Sequence, residues 1–309
     1  MAAFRPLFIF KISENTYRTI HESGTDLPGI KSGQDRTGSP EGVIDIKVLF
    51  IGDIVGSTGR KALKASLPEL KSKYNPHIII ANGENAASGR GITSAIANEF
   101  FNWGIHGITL GNHTWDNKDI FEFIDDEPRM IRPANFPPGT PGRGYTVIKA
   151  NGKQLAIVNL QGRTFLPAID CPFRAADDIV DELRQKHKCI LVDFHAEATS
   201  EKIAMGWHLE GRASMVVGTH THVQSNDDTI LPGGTAYITD TGMVGSKEGI
   251  LGMQRDAVMY KFKTQLPARF QVDEGKWQFH AVCVDMDEET GKARKIQKIR
   301  MYEDEWRMD

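Results

Sequence analysis

From residue 46 onward, short apolar runs alternate with amphipathic segments, the pattern of strands that cross over through helices into a sheet buried on both faces. Strands are predicted over 46–51, 77–81, 107–110, 155–159, 189–194 and 215–218. Between them Leu63, Leu67 and Leu70, then Ile96, Phe100 and Trp103, then Ile179 and Leu183, recur at the spacing of one helical face. Pro68 falls inside the first set, where its missing amide proton is expected to kink or shorten the helix. After Gly234 the helical pattern fades. Alternating stretches over 237–239, 269–272, 277–285 and 293–301, the last two joined across Glu289-Thr290-Gly291, predict antiparallel strands at the end of the chain.

Residues 1–45 carry neither period for long: Gly24, Pro28, Gly29, Gly33, Gly38 and Pro40 interrupt them, and a loose extension is expected there. With no repeat, low-complexity tract or linker after Gly42, residues 46–309 are expected to form a single α/β domain. A chain of 309 residues, 40% hydrophobic and 25% charged, can bury a full core. A formal net charge of −3 lacks the basic footprint of non-specific nucleic-acid binding, so duplex nucleic acid is not an expected partner. Cys171, Cys189 and Cys283 are odd in number and form no C-x-x-C pair, which argues against a disulfide framework and for a reducing cytoplasm. No apolar run approaches the roughly 18 residues of a membrane span, and 7–10 is too short for a secretory signal core. A cytoplasmic protein without a membrane partner is therefore expected.

Chemistry-bearing residues follow the predicted strands, where open α/β sheets place their ligand sites. The first strand runs into Gly52-Asp53-Ile54-Val55-Gly56, the second into Asn82-Gly83-Glu84-Asn85, and the third into Gly111-Asn112-His113-Thr114-Trp115-Asp116. Two later ones run into Asp193-Phe194-His195-Ala196-Glu197 and Gly218-Thr219-His220-Thr221-His222. Singly, each has an ordinary explanation: an Asp before a glycine turn is commonly a cap, and a strand-end histidine is commonly a hydrogen-bonded structural residue. His220 and His222 are a stronger signal, because alternate residues of an extended segment would present two imidazoles to one side. All five clusters together decide the matter. Carboxylate, amide oxygen and imidazole make a mixed donor set for first-row metals, and the ligands outnumber what one ion needs, so a dinuclear site is expected.

These motifs, with Arg132-Pro133-Ala134-Asn135, resemble the YmdB-like branch of the calcineurin-like metallophosphoesterases from Ile46 nearly to Met301. The resemblance implies a four-layer α/β/β/α sandwich and a phosphodiesterase acting on 2′,3′-cyclic and 3′,5′-cyclic nucleotides. It implies that Asp53, Asn85 and His222 hold one metal, that Asn112, His195 and His220 hold the other, and that Glu84 bridges them. Iron is the implied metal, with manganese as a substitute, and a homo-oligomer is compatible with the family. Two departures from the wider superfamily agree with this branch: Asp53-Ile54-Val55 replaces Asp-x-His, and Gly83-Glu84 replaces Gly-Asp.

The expected mechanism is attack on phosphorus by a hydroxide held between the ions, with His113 protonating the departing sugar oxygen. Asp116 either orients His113 or caps a helix near Lys118, and Arg163 and Arg174 are candidate phosphate contacts. The same chemistry would serve another nucleotide phosphoester or a short RNA end. A nucleotide-sensing regulatory protein with little turnover is the reading from a different class, disfavoured because every ligand position and His113 are present.

Overall fold

A computed structural model describes residues 45–304. The extension expected over 1–45 lies outside the described residues, except that Asp45 already belongs to the first strand. Strands β1 (Asp45–Ile51), β2 (Asp53–Ile54), β3 (Ile78–Asn82), β4 (Gly107–Thr109) and β5 (Met130–Ile131) start one sheet. The chain then builds a second from β6 (Tyr145–Ala150), β7 (Lys153–Gln161), β8 (Ile190–His195), β9 (Met215–Thr219), β10 (Thr229–Ile230) and β11 (Ala236–Ile238). It returns to the first with β12 (Met243–Ser246), β13 (Trp277–Asp287) and β14 (Ala293–Tyr302). The strand orders are β2-β12-β13-β1-β3-β4-β5, with β14 beside β13, and β10-β11-β9-β8-β7-β6.

Side-chain alternation along these strands sorts the core into three apolar layers. In β1, Leu49 and Ile51 face Leu63, Leu67 and Leu70 of helix α1 (Gly56–Tyr74) and Phe100 of α2 (Ser94–Trp103). Val48 and Phe50 instead face Ile157, Leu191 and Val217 of the second sheet. On the far side, Val158, Val192 and Phe194 pack against Val180 and Leu183 of α3 (Pro172–Arg184) and Met205 of α4 (Thr199–His208). Helix, sheet, sheet, helix is thus the order of layers. Each fully buried Leu, Ile or Val contributes about 1.5–3 kcal/mol, and the middle layer presses the two sheets together.

Three expectations need correction. Pro68 does not shorten α1, which continues to Tyr74; Lys64 and Pro68 are exposed, so solvent can take the carbonyl that loses its amide partner. Residues 269–272 form no strand, only a single bridge from Val272 to Met253. The helical pattern does not end at Gly234 either, because α5 (Arg255–Thr264) follows it.

Parallel pairing is what gathers the site. Register pairs Ile51 with Ala81, Asn82 with Thr109, and His195 with Thr219, so β1, β3 and β4 in one sheet and β8 and β9 in the other end at a common rim. The sheets are tied there by buried polar bonds: Asn82 Nδ2 donates to Asp193 Oδ2 at 3.1 Å, and Leu110 N–H donates to Asn159 Oδ1 at 3.2 Å.

Candidate metal centre

Three histidines at this rim each give one ring nitrogen to a structural acceptor. His195 Nδ1 lies 2.9 Å from Thr219 Oγ1, whose hydroxyl donates to Asp193 Oδ1 at 2.7 Å. His220 Nε2 lies 3.0 Å from Glu197 Oε2, and His222 Nδ1 lies 3.2 Å from the Leu251 carbonyl. In each ring the proton is thereby assigned to the outer nitrogen, and the inner one is left with a lone pair.

Those lone pairs converge on other lone pairs. His195 Nε2 is 2.9 Å from Asn112 Oδ1, 3.0 Å from Glu84 Oε1 and 3.1 Å from His220 Nδ1. His222 Nε2 is 3.3 Å from Asn85 Oδ1, and the Asn85 amide is oriented by donation from its Nδ2 to the Gly89 carbonyl. Asp53 is fully buried; its Oδ2 accepts from His220 N–H at 3.2 Å and its Oδ1 is 3.8 Å from His195 Nδ1. With His195 in the neutral tautomer assigned above, Asp53 Oδ1 and Glu84 Oε1 are buried with no hydrogen-bond donor among the described residues. Unpaired buried carboxylate oxygens are costly, and a cation is what such a set fits. Glu84, His195 and His220 alone bring three donor atoms within 4.8 Å of one another.

Titration follows the same geometry. Burial works against charging His195, but Glu84, Asp53 and Asp193 outweigh it and push its pKa up to about 9. Burial likewise opposes ionising Glu84, yet His195 and His113 hold that carboxyl down at about 2. Burial and then the charge of His195 drive His220 down to about 3, and burial lowers His222, so both rings are neutral at pH 7. Burial, foremost, raises Asp53 well above the usual carboxylate range. Positive charge at this point is favoured whether a proton or a metal ion carries it, and the two compete for the His195 lone pair.

The backbone departs from the extended segment expected for Gly218 to His222. β9 stops at Thr219, and His220 and His222 take φ values of 99° and 66°, in the left-handed region that non-glycine residues seldom occupy. The two imidazoles consequently turn to different neighbours, His220 to His195 and His222 to Asn85. Asp240 pins the turn: its Oδ2 accepts from Thr221 N–H and Oγ1 at 3.1 and 2.7 Å and from buried Lys202 Nζ at 2.6 Å. Neither Lys202 nor Asp240 stood out in the sequence.

His113 donates its backbone N–H to Glu84 Oε2 at 3.0 Å, and its Nδ1 lies 2.8 Å from Asp116 Oδ2. Of the two roles open to Asp116, the contact to His113 is the one formed; Asn117 caps the short 3-10 turn at Lys118–Glu122. Outside the donor cluster, a cavity of about 370 Å³ is lined by Glu84, Asn85, His113, His220 and His222 on one side. Leu251, Met253, Phe262 and Phe270 form an apolar wall on the other, with Arg90 and Lys261 at its edge. Arg163 and Arg174 do not line it. The apolar wall went unrecognised because α5, which carries Phe262, buries only Val258, and because Leu251, Met253 and Phe270 lie outside any helix or strand and so carry no period.

Two stacked sheets between helices, with imidazole, amide and carboxylate donors at their shared rim, make this a calcineurin-like metallophosphoesterase fold. Within that class the chain belongs to the YmdB-like protein family, whose model matches residues 49–299. It is 57% identical over 259 residues to the 2′,3′-cyclic-nucleotide 2′-phosphodiesterase of Bacillus subtilis (strain 168), covering 84% of this chain and 98% of that protein. Among solved structures, a hypothetical protein from Thermus thermophilus superposes with a TM-score of 0.78 at 40% identity, covering 83% of this chain and 99% of that one. A novel phosphatase from Mycoplasma pneumoniae gives 0.79 at 33% identity, covering 84% and 94%. No helix among the described residues is long and apolar enough to cross a membrane.

Proposed function

We propose that the chain is a dinuclear-metal phosphodiesterase that opens 2′,3′-cyclic and 3′,5′-cyclic nucleotides. The observation that carries this reading is the set of imidazoles whose outer nitrogens are tied to acceptors while their inner lone pairs face amide and carboxylate oxygens. The 57% identical relative, by its name, acts on 2′,3′-cyclic nucleotides. Asn112, His195 and His220 would hold one ion, Asp53, Asn85 and His222 the other, and Glu84 would serve both. Iron is the proposed occupant and manganese a substitute, in keeping with the mixed oxygen and nitrogen donors. Bound ions would supply water activation at neutral pH and charge neutralisation at phosphorus.

The remaining work falls to this chain's own groups. Asp116 Oδ2 accepts a hydrogen bond from His113 Nδ1–H and fixes the ring, so that with both nitrogens protonated Nε2–H is the donor available to the cavity. A proton delivered from Nε2 to the departing ribose oxygen avoids an alkoxide leaving group. Leu251, Met253 and Phe270 offer an apolar surface to the nucleobase. Residues 46–309 act as one domain in this reading, and the free thiols of Cys171, Cys189 and Cys283 suit a cytoplasmic enzyme.

Protein purified without chelator and assayed against cyclic nucleotides, nucleotide monoesters and short RNA ends tests the proposal. Turnover of the cyclic compounds, lost on chelation and restored by manganese or iron, is expected. Tight binding of cyclic nucleotide with no product over hours would favour the sensing protein instead.

A further inference from the structure

The cavity at the metal centre is the first of three that adjoin along one face. The second, about 410 Å³, is bordered by Ser88, Arg90, Lys261, Arg269 and Phe270, and the third, about 400 Å³, by Arg60, Ser88, Gln254, Arg269 and Phe270. Phe270 borders all three; Arg90 and Lys261 are shared by the first and second, Arg269 by the second and third. The three cavities therefore share walls in series, with Arg90 and Lys261 between the first and second, Arg269 between the second and third, and Arg60 on the third.

These cations differ in how far they are free to meet a ligand. Among the described residues Lys261 and Arg269 make no ion pair, and Lys261 Nζ lies 5.3 Å over the Phe270 ring. Arg90 approaches only Asp116, at 3.8 Å, and its side chain is 64% exposed. Arg60 donates to the Ala86 carbonyl and lies 3.9 Å from exposed Glu99. In a chain of net charge −3, a file of four cations beside an aromatic face is a local feature against the background. A mononucleotide placed as proposed above needs only the first cavity. Spaced cations with an aromatic ring between them are how proteins track a single polynucleotide strand, phosphates on the cations and bases on the ring.

We propose that the preferred substrates are short oligoribonucleotides whose 3′ end is a 2′,3′-cyclic phosphate. The terminal nucleotide occupies the metal-centre cavity, and the preceding nucleotides pass Phe270 and run along Arg269 toward Arg60. Glu274 borders the third cavity and closes the track to further phosphates. One water is consumed: its oxygen bonds to phosphorus, the bond from phosphorus to the 2′ oxygen breaks, and a proton passes to that oxygen, leaving a 3′-phosphomonoester. The proposal rests on the phosphodiesterase reading above and extends it.

The test compares a tetrauridylate ending in a 2′,3′-cyclic phosphate with 2′,3′-cyclic UMP, using metal-loaded full-length protein and its Arg269→Glu variant. The oligonucleotide is expected to show kcat/KM about tenfold or more above the mononucleotide at low salt, an advantage that shrinks as salt rises. Arg269→Glu should remove most of that advantage and leave the mononucleotide rate within about twofold, since Arg269 lies outside the first cavity. Fluorescence anisotropy of a 5′-labelled tetrauridylate 3′-phosphate gives a readout independent of turnover, with weaker binding expected in the variant. Equal rates for the two substrates, or an oligonucleotide advantage and affinity untouched by Arg269→Glu, would overturn the proposal while cyclic UMP turnover leaves the phosphodiesterase reading standing. Failure to turn over either substrate would overturn both.

Discussion

At Gly111 a single added methyl would stand 2.3 Å from Glu84 Oε2 and 2.4 Å from His195 Nε2, inside the space where their lone pairs meet. Gly111→Ala should therefore lower bound metal about tenfold or more, read by elemental analysis, with little change in circular dichroism. His113 sits differently, since it reaches the centre through its backbone and leaves its ring to the cavity. His113→Ala should cut kcat by about 10²–10⁴-fold at unchanged metal content, and Asp116→Asn by a smaller factor. Loss of metal with activity retained would remove His113 from the role of acid. Much of this was legible residue by residue: Asp53, Glu84, Asn85, Asn112, His195, His220 and His222 all lie at or just past a strand end, and the fold carries them to one rim. Less legible was the division of labour between His220 and His222, because it depends on two left-handed residues where the pattern reads as extended.

Among the elements, β13 runs between β1 and β14 and pairs also with β12, and His280 near its start is buried. Among the described residues neither ring nitrogen of His280 has a hydrogen-bond partner, and burial, then Arg300, hold its pKa down at about 4. The unfolded chain accepts that proton near pH 6.5 while the folded chain refuses it, so stability should fall as pH drops from about 6.5 toward about 4. Urea midpoints across that range should flatten in His280→Leu; an unchanged slope would assign the acid sensitivity elsewhere. Elements with a clean apolar face, such as α1, or an apolar run, such as β1 and β8, could be read from the sequence pattern. Others could not: β6 buries only Ile148, and α4 turns Glu201 and Lys202 inward, so neither shows the expected alternation. In α5 the apolar Met259, Tyr260 and Phe262 are exposed, and their pattern says nothing of the cavity wall to which Phe262 belongs.

At the scale of the entire fold, the middle apolar layer holds two sheets so that strands from distant stretches of chain end at one rim. The α/β/β/α order was implied by the family resemblance, since periodicity distinguishes a buried strand from a polar one but not one sheet from two. All the proposed chemistry requires that this rim hold a pair of cations. Crystals of protein grown with manganese, with anomalous scattering recorded at the metal edge, would locate them. Two peaks per chain are expected, one among Asn112, His195 and His220, the other among Asp53, Asn85 and His222, with Glu84 reaching both. A single peak, or peaks remote from Glu84 and His195, would rule out the dinuclear centre and the phosphodiesterase chemistry built on it.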